Sequence, residues 1–114
     1  MTIFGDGLQT RDFVHVSDVV SAMMAAGESL LTHDTASPAH ATPFNVCSGV
    51  TVTLLDVVAA LDAITQQPMA VTHAPAREGE IRDSFGDPAA LTTALDWTPE
   101  VTLEEGLRDL LEQL

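Results

Sequence analysis

Apolar positions fall into short runs and helical stripes separated by polar, glycine- and proline-marked breaks. Met1 to Phe4 is a brief apolar run that enters a Gly5-Asp6-Gly7 turn. Phe13-Val14-His15-Val16 then reads as a short strand, with Arg11 where the turn becomes strand. Ser17 is placed to cap a helix, since Val19, Val20, Met23, Met24, Leu30 and Leu31 recur at helical spacing, with Gly27 a weak point inside it. Thr32 to Pro43 is polar and proline-punctuated, a surface loop. Phe44-Asn45-Val46-Cys47 reads as a buried strand that Ser48-Gly49 ends.

The second half carries clearer helix signals. Thr53 and Asp56 have capping-box spacing, and Leu54, Val57, Val58, Leu61 and Ile64 mark one face of a helix ended by Pro68. Met69 to His73 is a candidate strand, and Pro75 to Gly86 is a loop carrying Arg77 and Arg82. Asp87 and Pro88 supply an N-cap and a first-turn proline for a short helix ending near Asp96. Thr102 and Glu105 form a second capping box, followed by a stripe of Leu103, Leu107, Leu110, Leu111 and Leu114. The pattern predicts one mixed α/β unit over residues 1–114, with short strands and three to four helices.

Composition narrows the partners. At 114 residues and 46% apolar, the chain is long enough and apolar enough to pack. Seventeen acids against four bases give a net charge of −13, which repels nucleic acid and anionic membranes. The bases are Arg11, Arg77, Arg82 and Arg108, and the sequence has neither lysine nor tyrosine. Cys47 is the single cysteine, so an internal disulfide is excluded and a buried thiol is expected. No apolar run reaches spanning length and Met1 is not followed by a signal-type segment, so the expectation is a soluble, cytoplasmic protein.

Candidate chemistry is sparse. His33 and His40 have no partner at metal-ligand spacing, no Gly-x-Ser-x-Gly elbow is present, and the carboxylates read as helix caps and solvated surface. Arg11 and Arg77 lie in glycine-containing loops beside short strands, and arginine's planar fork suits a phosphate. The residues alone leave two readings open. Either these arginines contact an anion, or Arg11 pairs with Asp6 or Asp12 and Arg77 with Glu78 or Glu80. Arg82 and Arg108 read as surface charges, the latter spaced to pair weakly with Glu104 and Glu112.

The run Ile3-Phe4-Gly5-Asp6-Gly7-Leu8-Gln9-Thr10-Arg11-Asp12-Phe13-Val14-His15-Val16-Ser17-Asp18-Val19 resembles the segment opening the latter part of extended short-chain dehydrogenases. That is the NAD-dependent epimerase and dehydratase family acting on nucleotide sugars. Further marks follow in the family's order: Phe44-Asn45-Val46 with Ser48-Gly49, Arg77-Glu78-Gly79-Glu80-Ile81, Asp87, Leu95-Asp96-Trp97-Thr98-Pro99, and Leu103-Glu104-Glu105-Gly106-Leu107. The resemblance covers the whole chain.

It implies that Arg11 and Arg77 clamp the diphosphate of a nucleotide-diphosphate sugar, that Gly5 and Gly7 shape the loop presenting Arg11, that Asp18 and Thr53 are structural caps, and that His15 packs. It also implies that a complete member has an N-terminal dinucleotide-binding half with a Gly-x-x-Gly-x-x-Gly turn for NAD and a Tyr-x-x-x-Lys pair. Neither occurs here, so no catalytic, cofactor or metal residue is assigned and this chain alone is expected to be inactive. It resembles the C-terminal substrate-binding portion of a nucleotide-sugar 4-epimerase, which acts by transient oxidation at C4; dehydratases, decarboxylases and reductases share the same marks. The alternative is a non-catalytic fragment or interaction module that keeps the fold. The resemblance also implies that the helix over Val19 to Leu31 and the strand over Phe44 to Cys47 lack the neighbours that the other half provides, so that the chain is marginal alone, self-associates, or has that face covered by the missing half or another chain.

Overall fold

The computed structural model describes residues 1–113. In chain order the elements are β1 (Thr2–Phe4), β2 (Thr10–Asp12), α1 (Val16–His33), β3 (Thr51–Thr53), α2 (Leu54–Thr65), β4 (Thr72–Ala74), β5 (Asp83–Ser84), α3 (Ala89–Leu95) and α4 (Leu103–Glu112), with a 3₁₀ turn over Asp34–Ala36. The architecture is mixed α/β. β1 and β4 pair in parallel, Ile3 opposite His73. β2 is the middle strand of a second sheet, antiparallel to β3 and parallel to β5.

Both capping boxes form. Thr53 Oγ1 accepts from the Asp56 N–H at 3.1 Å while Asp56 Oδ2 accepts from the Thr53 N–H at 2.8 Å. Thr102 and Glu105 repeat the exchange at 3.3 and 2.9 Å. Each box satisfies an orphan donor at its helix start. α2 ends at Gln66, whose φ of 55° turns the chain out of the helix ahead of Pro68.

The strands depart from expectation. The strand expected over Phe13 to Val16 lies three residues earlier, because β3 and β5 flank Thr10–Asp12 and supply its ladder partners. α1 consequently begins at Val16, and His15, not Ser17, is its N-cap: the ring accepts from the Ser17 N–H at 3.4 Å. Phe44 to Cys47 is not a strand, because no neighbouring strand pairs with it among the described residues. Phe44 and Val46 instead pack against the core. The strand expected over Met69 to His73 forms only at its end, as Thr72–Ala74 beside β1, and the loop expected over Pro75 to Gly86 contains β5. α3 starts at Ala89 after Pro88, with Asp87 Oδ1 accepting from the Ala89 N–H at 2.9 Å. Leu114, placed by the sequence on the final stripe, lies outside the described residues.

The core joins α1 to α3 through Ala22, Leu91 and Trp97. The Trp97 indole N–H donates to Ser21 Oγ at 2.8 Å, so the ring's polar edge is satisfied as it is buried. Cys47 is buried as expected, and burial raises its thiol pKa. The outer face of α1 is bare: Val16, Met23 and Met24 are each at least 60% exposed, and Leu31 is 90% exposed.

Candidate functional site

The turn between β1 and β2 is shaped by its glycines. Gly5 and Gly7 have φ of 79° and 80°, a region that L side chains avoid. A Cβ at Gly7 would also meet Leu55 Cδ2 at 2.8 Å. Between them Asp6 accepts from the Leu8 N–H at 3.0 Å and from Arg82 Nη1 at 2.8 and 3.0 Å on its two carboxylate oxygens. Arg82 holds the Asp6 carboxyl below its ordinary range, and Asp6 raises the Arg82 guanidinium in turn.

This turn forms one wall of a cleft of about 120 Å³, whose other wall is the segment from Ala76 to Arg82. Arg77 leans on the first wall, with its guanidinium carbon 3.7 Å from the centroid of the Phe4 ring. Glu80 and Arg82 line the same space. Gln9 is buried at its base, and its amide donates to the Phe4 carbonyl at 2.9 Å and to Glu80 Oε1 at 3.3 Å.

Arg11 reaches the site from β2. Its Nη1 donates to the Thr10 carbonyl at 2.7 Å and to the Arg82 carbonyl at 3.3 Å, which aims Nη2 at Glu80 Oε1, 3.6 Å away. The local pairings open at the sequence level are therefore not the ones made. Asp6 is taken by Arg82, and Asp12 accepts from Ser48 and Gly49, so Arg11 pairs with Glu80. Arg77 pairs with neither Glu78 nor Glu80 and stacks on Phe4 instead. Arg77 and Glu80 both line the cleft, whereas Arg11 is not among its lining residues and is linked to it through the Glu80 carboxylate.

Sequence reasoning missed Arg82, Glu80, Gln9 and Phe4. Arg82 is a surface charge as expected, 57% exposed and paired with Asp6, and the β5 pairing that begins beside it turns this segment toward the glycine turn, so that it also lines the cleft. Nothing in local spacing marks Gln9 or Glu80, which are 71 residues apart. Arg108, on α4, does not line the cleft.

Two expected structural residues behave differently from each other. Thr53 caps α2, whereas Asp18 caps nothing: it is buried and accepts from the Glu100 and Val101 N–H groups at 3.1 Å each, tying α1 to the chain before α4. His15 is largely buried, as its packing role required, with Nε2 3.5 Å from Asp109.

The architecture explains what this site can hold. Arg77, Arg82 and Gln9 line a small polar cleft together with the carboxylates of Asp6 and Glu80, and Arg11 reaches Glu80 from outside that lining. Among the described residues no group of three or more His, Cys, Asp or Glu is placed to hold a metal, and no helix is long and apolar enough to cross a membrane. The residues do not fit NAD either, because the glycine turn joins two strands and does not open a helix whose N-terminus would receive a pyrophosphate.

Residues 1–110 match the family model described as GDP-mannose 4,6 dehydratase. The chain belongs to this family. It is 35% identical over 111 residues to a UDP-glucose 4-epimerase of Mycolicibacterium smegmatis, covering 96% of this chain and 33% of that protein. It is 34% identical to a GDP-6-deoxy-D-mannose reductase of Pseudomonas aeruginosa, covering 94% of this chain and 33% of the relative. Among solved structures, a Bacillus cereus UDP-glucuronic acid 4-epimerase variant in complex with UDP-4-deoxy-4-fluoro-glucuronic acid and NAD superposes with a TM-score of 0.84 at 28% identity, over 98% of this chain and 35% of that one. A Thermotoga maritima UDP-glucose 4-epimerase with UDP-glucose gives 0.80 at 33% identity, over 97% and 33%. The chain of this epimerase/dehydratase family member thus spans about a third of the length of the relatives it matches.

Proposed function

We propose that this chain is the substrate side of an NAD-dependent nucleotide-sugar epimerase or dehydratase, with its polar cleft gripping the diphosphate of a nucleotide-diphosphate sugar. The observation that carries this reading is that Arg77 lines the same cleft as Glu80 while Arg11, 66 positions away in sequence on β2, reaches Glu80 at 3.6 Å. Arginines on separate segments can hold a diphosphate at both ends while leaving the attached sugar free to turn. Nucleotide-sugar complexes among its structural neighbours support the ligand class.

In this reading NAD and the acid/base chemistry belong to the rest of the fold, which docks on the bare face of α1, and 4-epimerisation is the reaction of the assembled enzyme. Residue roles follow: Arg77 and Arg11 bind, Gly5 and Gly7 hold the turn, and no residue of this chain takes a proton from the sugar.

Titration of UDP into the chain by calorimetry tests the clamp. Saturable binding is expected, weakened about tenfold or more in Arg77→Ala and in Arg11→Ala, the scale of one lost charge-assisted contact. Absence of binding at millimolar UDP would favour an inert module that keeps the fold without the ligand.

A further inference from the structure

We propose that the Asp6–Gly7 peptide is a spontaneous modification site, an aspartate that isomerises to isoaspartate, and that the Arg82 guanidinium is the lock holding it in its native form. The inference is independent of the ligand assigned to the cleft.

Asp6-Gly7 is the single Asp–Gly pair of the sequence, and Asn–Gly does not occur. An aspartate followed by glycine closes on itself readily, because the next residue has no side chain to hinder the approach of its main-chain nitrogen. In the reaction the Gly7 nitrogen attacks Cγ of Asp6. The new N–C bond forms as the amide proton and the carboxyl hydroxyl leave as water, giving a cyclic imide. Water then adds back. Addition at Cγ restores aspartate, whereas addition at the main-chain carbonyl breaks that C–N bond and leaves the chain running through Cβ and Cγ. No oxidant or reductant is consumed.

The fold brings the reacting groups together. The Leu8 N–H donates to Asp6 Oδ1 at 3.0 Å, closing a ring of atoms that contains the Gly7 nitrogen, so the carboxyl is curled back over its attacker. The Asp6 side chain is 52% exposed, open to the water that reopens the imide. Against this, Arg82 Nη1 donates to both carboxylate oxygens, at 2.8 and 3.0 Å. That grip pins the carboxylate in one orientation. It also holds the carboxyl below its ordinary range, so the neutral form from which hydroxyl departs is scarce.

Arg82 comes from 76 positions further along the chain, so the lock exists only in the folded state. An unfolded chain loses it and is marked at Asp6, while the intact fold is spared. The mark is also disruptive: isoaspartate adds one carbon to the main chain of the cleft wall and draws the carboxylate away from Arg82.

Ageing the chain at neutral pH, followed by trypsin and chromatography of the peptide Met1–Arg11, tests this, since Asp6 is the only aspartate in that peptide. Enzymatic methylation of isoaspartate identifies the product. Arg82→Ala is expected to accumulate it about fivefold faster than the wild-type chain, the scale on which loss of one exposed ion pair releases a carboxylate. Arg82→Lys, which keeps the charge without the planar fork, should fall between them. Asp6→Glu, whose longer side chain does not form the five-membered imide, should yield none. Sodium chloride should speed the wild-type reaction by screening the pair and leave Arg82→Ala unchanged, a comparison that guards against a folding defect in the variant. Equal rates in the wild-type chain and Arg82→Ala, with no salt effect, overturn the lock, as does a wild-type rate equal to that of the synthetic peptide Met1–Arg11. Absence of isoaspartate from the peptide, the wild-type chain and Arg82→Ala overturns the site and the lock together.

Discussion

Asp18 does more for this fold than its position near the start of an exposed helix suggests. Its two oxygens each accept a backbone N–H, from Glu100 and Val101, in a site where water is excluded. Asp18→Ala would leave both donors without partners, at a cost of about 3 kcal/mol. Urea unfolding followed by the fluorescence of Trp97, the single tryptophan, should show that loss, with Asp18→Asn recovering part of it through its remaining acceptor oxygen. An unchanged midpoint in Asp18→Ala would remove the residue from the tertiary framework. The type and position of Asp18 were legible in the sequence, but its partners were not, because they lie 82 and 83 residues away. Arg11 is the same case. A sequence offers it neighbouring Asp6 and Asp12, while the fold gives those carboxylates to Arg82 and to the Ser48-Gly49 backbone.

At the scale of elements, legibility follows the range of the interactions that define each one. α2 and α4 begin where their capping boxes place them, since a box is closed within four consecutive residues. β2 slid from its expected place because a three-residue strand is defined by the partners beside it, and these come from residues 51–53 and 83–84. The boxes also carry a pH signature. Asp56 is held below its ordinary pKa by hydrogen bonds from Thr53, and Glu105 by those from Thr102. Groups depressed in the folded state contribute stability that is fully present above their unfolded values, about 3.9 and 4.3, and is lost as pH falls through the folded ones. Urea midpoints should therefore fall between pH 5 and pH 3. In an Asp56→Asn, Glu105→Gln double variant the fall should be shallower and the neutral-pH midpoint lower. A parallel acid limb in the variant would mean that other carboxylates set it.

For the whole molecule, the surface is too large for the mass. A compact 12.1 kDa chain exposes about 6,000 Å² and has a radius of gyration near 13 Å, whereas this one exposes 7651 Å² with a radius of 17.3 Å. The surplus, about 1,600 Å², is on the scale of a large protein–protein contact face. Part of it is apolar and lies on α1, where Val16, Val20, Met23, Met24 and Leu31 face outward at the spacing of one helical stripe. Such a stripe is a reason to associate, while a charge of −13 on each copy opposes self-association, and salt weakens only the second term. Sedimentation velocity should accordingly show more association at 0.5 M than at 0.02 M sodium chloride. Met23→Glu with Leu31→Glu should abolish that rise and reduce Nile red fluorescence. Because both side chains are exposed, at 69% and 90%, the thermal midpoint of the dilute chain should change little. Salt-independent monomers with unaltered dye binding would show that α1 offers no adhesive face. If the rise is seen and lost in the double variant, the next measurement is whether the remaining two-thirds of a relative's fold, supplied as a separate polypeptide, suppresses self-association and raises the midpoint of the wild-type chain but not of the variant.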